Sequence, residues 1–173
     1  MARKIDFASL SLVDALDLAI LIEDEARDRY QEFADQMDLH HTPDAARFFR
    51  HMAANETKHG AELTARRTRL FPTEPRTVTR EMLWDAEAPG YEEAHTFMSA
   101  RQAMAVALQS EIKARDYFAA ALRHVAEPDV KALFAELCDE EIEHQAMVRD
   151  AMAKLPPGPD TDPEDYADGP VAH

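Results

Sequence analysis

The chain has 173 residues, 46% hydrophobic and 31% charged with only 4 glycines, which suits one helical domain with a real core rather than two domains. Its 34 acidic and 19 basic residues give a net charge of −15, which argues against a nucleic-acid-binding surface and is compatible with a protein that attracts cations. A single cysteine, Cys138, excludes a disulfide framework and any cysteine-based zinc or iron–sulfur site within one chain.

The opening MARKIDFASL lacks the apolar run of a signal peptide, and no stretch of about 18 apolar residues occurs. The expectation is a cytoplasmic protein that does not enter a membrane. In chain order, a first helical pattern runs from about Ser9 to Met37, with Ser11 and Asp14 spaced as an N-terminal cap. A short link at 38–41 precedes a second helix that opens on Thr42-Pro43 and runs to about Phe71. Residues 72–91 form a long crossover in which REMLWDAEA predicts a short helix. The third helix is expected from about Glu92 to Val125, and the fourth from Pro128 to just before Pro156-Pro157.

Short links make the first two helices, and the last two, antiparallel neighbours. Two hairpins joined by one long crossover describe an all-α, ferritin-like four-helix bundle, expected to fill residues 1–154. Residues 155–173 are rich in proline and acids, so the expectation there is a disordered tail.

Steps of three and four residues along each helix give its inward stripe. The stripes are Leu16, Ala19, Glu23, Ala26, Tyr30, Phe33, Met37; then Phe49, Met52, Glu56, His59, Leu63, Leu70. The third is Phe97, Ala100, Met104, Ala107, Glu111, Ala114, Phe118, Ala121, Val125; the fourth is Val130, Phe134, Leu137, Glu141, His144, Val148, Ala151, Leu155. Each stripe is apolar except for one central glutamate, and two add a histidine three residues on.

Glu23 lies about 21 Å before the end of its helix and Glu56 about 20 Å back along its partner. The second hairpin repeats these distances with Glu111 and Glu141. All four carboxylates are therefore expected at one level. In an apolar core they would repel and stay protonated unless cations neutralised them. Two divalent ions balance four carboxylates, and oxygen-rich ligation with some imidazole suits iron or manganese. One glutamate from each of two helices, plus Glu-x-x-His from the other two, is the arrangement of bundle di-iron and di-manganese sites.

Glu-x-x-His alone is a weak motif, and a third copy at Glu92 and His95 lies about 28 Å along the axis from Glu111, too far to join. Glutamates there suit a helix N-terminus. His40, His41, His51, His124 and His173 have no partners at ligand spacing and read as surface or loop residues. Tyr30 and Phe118 read as core aromatics, and Tyr30 is also within the register to reach a ligand carboxylate. Met52 and Met104 read as packing, with no haem ligand in prospect.

The stretches EDEARDRY (Glu23 to Tyr30) and ETKH, repeated as EIKARDYF (Glu111 to Phe118) and EIEH, resemble the rubrerythrin branch of the ferritin-like superfamily over about residues 8–154. Glu23 and Glu111 are 88 residues apart and Glu56 and Glu141 are 85 apart, so the duplication is visible in the sequence itself. The resemblance implies two iron ions, with manganese an alternative, reacting with dioxygen or hydrogen peroxide. Carried over by position, the ligands are Glu23, Glu56, His59, Glu111, Glu141 and His144. Rubrerythrins proper add a rubredoxin-like domain with four cysteines, and many have a further glutamate where this chain has Ala114.

The resulting expectation is a di-iron oxidoreductase, peroxidase- or ferroxidase-like, without haem or an iron–sulfur cluster. It would use a separate electron-donor protein and assemble as a homodimer or larger homo-oligomer. The alternatives are an iron-binding or storage protein without turnover, and a structural bundle with a vestigial site.

Overall fold

The computed structural model describes residues 5–39, 41–83 and 99–155. Its elements are α1 (Leu12–Leu39), α2 (Pro43–Leu70), the single-turn α3 (Arg80–Leu83), α4 (Ala100–Ala121) and α5 (Pro128–Lys154), with no strand among the described residues. The four long helices form the all-α, ferritin-like bundle: α1 packs along α2, α4 packs along α5, and α1 also meets α4 and α5. None of the described helices is long and apolar enough to cross a membrane.

Local chemistry sets the helix ends. The Asp14 amide donates to Ser11 Oγ at 3.2 Å, and that hydroxyl donates to the Asp14 carboxylate at 2.7 Å, opening α1. His41, with φ 57°, closes α1 in the left-handed region. Its amide donates to Asp38 O and the Thr42 amide donates to Met37 O, the paired bonds of a Schellman turn. Thr42 Oγ1 also donates to Met37 O at 2.9 Å, and Pro43 then starts α2. Glu127 caps α5 by accepting from the Val130 amide at 2.8 Å.

Two expectations need correction. Helix α4 does not run continuously from Glu92, because Ser99 is extended (φ −68°, ψ 160°) and forms a capping box with Gln102. Residues 84–98 lie outside the described ones, as do Glu92, His95, Phe97 and all but the first turn of the short crossover helix. The tail from residue 156 onward, His40 and His173 lie outside them too. Second, Leu70 is not on the inward face but 45% exposed. Arg67 fills the stripe between Leu63 and the end of α2 instead. It donates to both Asp17 oxygens, at 3.0 and 3.2 Å, and to the carbonyls of Phe71 and Glu74, each at 2.8 Å. Asp17 is 1% exposed, so this is a buried ion pair that pins the start of the crossover to α1.

The core divides into two apolar clusters. One gathers Leu16, Leu18, Ile20, Leu63, Phe118, Leu133, Phe134 and Leu137 near one end of the bundle. The other gathers Tyr30, Phe33, Met37, Phe49, Met52, Met104 and Val148 near the opposite end. In sequence, the polar residues Glu23, Glu56, Glu111, Glu141 and His144 fall between the two sets on their helices.

Candidate metal centre

Each long helix carries a carboxylate to mid-height. Glu23 on α1, Glu56 on α2, Glu111 on α4 and Glu141 on α5 are all buried, as is His144 one turn after Glu141. His59, one turn after Glu56, keeps 19% of its side chain exposed against 4% for His144. The two imidazoles lie parallel, with centroids 5.2 Å apart and planes 6° from each other.

The ligand atoms fall into three overlapping groups: Glu56 with His59 and His144; Glu111 with Glu141 and His144; and Glu23 with His59 and Glu140. Within each, the candidate atoms lie within 4.8 Å of one another. His144 Nδ1 stands 3.3 Å from Glu56 and from Glu111, and 3.8 Å from Glu141. His59 Nδ1 stands 3.9 Å from Glu23. Because His59 and His144 are shared between groups, all six sequence-predicted residues meet in one cluster. His41, His51 and His124 are exposed and take no part in these groups.

The electrostatics are those of several acidic groups crowded together in an apolar core. Burial pushes the Glu23 carboxyl well above the usual range, helped by hydrogen bonding to Glu56 and by repulsion from Glu56, Glu141 and Glu140. Burial also raises Glu141 well above that range, with Glu111 adding to it and His144 opposing it. Glu111 is raised by burial, against the pull of its hydrogen bond with Glu141 and of Arg29. Burial works against a charged His144, but the nearby Glu141 carboxylate and the charges of Glu56 and Glu140 outweigh it and raise its pKa.

Five buried atoms here have no hydrogen-bond partner: Glu23 Oε2, Glu56 Oε1, His59 Nδ1, Glu141 Oε2 and His144 Nε2. Buried polar atoms are seldom left so. Four carboxylates and two imidazoles with spare lone pairs are the donor set for two hard or borderline divalent ions, so the residues fit a dinuclear metal. The sequence reading missed Glu140, which joins Glu23 and His59. It lies off the apolar stripe, and the signal was its place four residues before His144 on the same helix. Tyr30 stacks on Phe49 at 6.1 Å, and its buried hydroxyl has no hydrogen-bond partner, so it does not tie down a ligand carboxylate.

The rubrerythrin family profile matches residues 14–152, with a second match over 102–171. The chain belongs to the rubrerythrin family. Family membership points to a di-iron protein, and the carboxylate and imidazole groups above are those able to hold the metal. The fold is also similar to the crystal structure of an uncharacterised conserved protein from Magnetospirillum magnetotacticum MS-1. That protein is 32% identical, with a TM-score of 0.72 over 88% of this chain and 100% of the other. No curated protein matches the sequence. The sequence has Cys138 as its one cysteine and alanine at position 114.

Proposed function

We propose that this rubrerythrin-family protein is a di-iron oxidoreductase that reacts with hydrogen peroxide or dioxygen, with Glu23, Glu56, His59, Glu111, Glu141 and His144 as ligands. The observation that carries the reading is the mid-height cluster of four buried carboxylates and two imidazoles with unpartnered atoms. Two ferrous ions bound there supply the two electrons that, with two protons, convert one hydrogen peroxide to two waters.

The chain's own residues prepare that chemistry. The four carboxylates offset the charge of two divalent ions and favour a higher oxidation state. His144 and His59 add neutral donors on parallel rings. The apolar clusters on either side of the centre, with Phe118 and Leu137 in one and Met52 and Met104 in the other, keep bulk water away. We read a cytoplasmic setting, a homodimer or larger homo-oligomer, and a separate electron-donor protein as part of the same proposal.

Anaerobic loading with ferrous iron, metal analysis, and stopped-flow absorbance after one equivalent of peroxide test this reading. The expected result is two irons per chain and ferric absorbance within minutes, followed by slow re-reduction until a reductase is added. Less than one metal per folded chain would remove the reading. Two irons without ferric absorbance would leave a metal-binding protein only.

A further inference from the structure

The two sides of the centre differ in their access to solvent. Around Glu111, Glu141 and His144 all three side chains are buried, while around Glu23, His59 and Glu140 only Glu23 is. A solvent-open pocket of about 60 Å³ lies between α2 and α5, lined by His59, Glu62, Leu63, Arg66, Glu136 and Glu140. That is room for a partly hydrated cation, since a water needs about 10–15 Å³ of such volume. Arg66 pairs with Glu136 at 3.0 Å beside it, so that cation's charge is already engaged.

Glu140 is half-buried and stands where this pocket meets the centre, with a carboxylate oxygen within 4.8 Å of ligand atoms on both Glu23 and His59. Glu23 is 4% exposed, and its Oε2 and His59 Nδ1 are buried with no hydrogen-bond partner. Two unpartnered donors thus lie on the inner side of a group whose third carboxylate lines a path to water. Aquated divalent ions shed water more readily when an oxygen ligand replaces it at each stage, and a carboxylate at the rim of an otherwise buried site provides one.

We propose that Glu140 is a seventh metal ligand, completing with Glu23 and His59 an outer position at which a divalent cation loads from solvent and from which it exchanges. The inference rests on the dinuclear reading above and adds an order to it. The inner position at Glu111, Glu141 and His144 holds its ion, and the outer one turns over.

The test titrates metal-free full-length protein with manganese(II) by calorimetry, then follows release of both ions into excess chelator. The wild type should bind two ions and release them in a fast and a slow phase. Glu140→Ala should weaken one ion by about tenfold or more, speed the fast phase, and leave the slow phase in place. Glu140→Asp, which keeps the charge on a shorter arm, should recover part of the loss, whereas Glu140→Gln should not. Glu143→Gln removes an equal charge from an exposed position on the same helix and should do little. Wild type that binds no metal defeats the dinuclear reading itself. Two ions in wild type with unchanged binding in Glu140→Ala, or an equal loss in Glu143→Gln, overturns the outer-ligand proposal alone. Far-ultraviolet circular dichroism of the metal-free variants, expected to match wild type, establishes that they are folded.

Discussion

Among the described residues two groups of charged side chains are buried in this bundle, and they are built on opposite principles. The Arg67–Asp17 pair is closed: the guanidinium meets both Asp17 oxygens and two backbone carbonyls, and Arg76 adds a second contact to Asp17 at 3.5 Å. The mid-height cluster is open: four carboxylates face two imidazoles, and five buried atoms lack hydrogen-bond partners. Burial is similar, with Asp17 at 1% and Glu56 at 3% exposed. What separates structure from site is whether the charges are already compensated. A polar group that completes its bonds within the fold fixes geometry, and one that leaves them incomplete awaits a ligand.

The largest expected effect breaks the closed member. Asp17→Ala leaves the Arg67 guanidinium buried without its counter-ion and should cost about 3–5 kcal/mol of stability. The loss should be the same with and without metal, because neither residue belongs to the centre. Urea unfolding in chelator and in excess manganese measures it. A loss seen only in the metal-loaded protein would mean that the pair serves the site.

The open member should respond with the opposite sign. Glu141→Gln removes one of the mutually repelling carboxylates, so the metal-free variant should melt no lower than wild type. The same variant should lose at least one metal, and with it the stabilisation that binding confers on the folded state. That stabilisation is about 2.7 kcal/mol for each ion held at a hundred times its dissociation constant. Paired thermal melts with and without metal test both halves. A metal-free Glu141→Gln that melts well below wild type would place Glu141 among the structural groups, with Asp17.

The contrast also explains what could be read from the sequence. The six central residues were legible because each interrupts an apolar stripe at helical spacing, and because matching helix lengths bring them to one height. Arg67 sits in the same register between Leu63 and Leu70, yet an arginine in an otherwise polar stretch of α2 carries no such mark. Its partner Asp17 lies 50 residues away, within the unbroken buried run Ala15–Ile20 of α1. Glu140 was not legible for a related reason: it stands beside the stripe, and only the approach of α2 across from α5 brings His59 next to it. The start of α4 at Ala100 was present as Ser99 and Gln102 at capping-box spacing, but the helical pattern upstream masked it.

The smallest expected effect is a dependence on pH that changes sign with metal. In the metal-free protein Glu23, Glu111 and Glu141 are raised by burial, so the folded state binds more protons than the unfolded one between the unfolded carboxylate value, about 4.3, and the raised folded values. Their contribution to stability is complete below that lower limit and is lost as pH rises through the folded values. His144 acts in the same direction: burial opposes its charge, but Glu141, Glu56 and Glu140 raise its pKa, so its contribution is full below about 6.5 and falls as pH rises further. Metal-free stability should therefore decline with rising pH across this range, on the order of 1 kcal/mol per pH unit. Saturating metal should reverse it, because binding requires the same carboxylates and imidazoles without their protons and strengthens as pH rises. Unfolding by urea at several pH values between 4.5 and 8 (about the span of these titrations), in chelator and in excess manganese, would show two slopes of opposite sign. Parallel slopes would mean that the cluster titrates alike with and without metal, and that its buried carboxylates are not the groups that bind it.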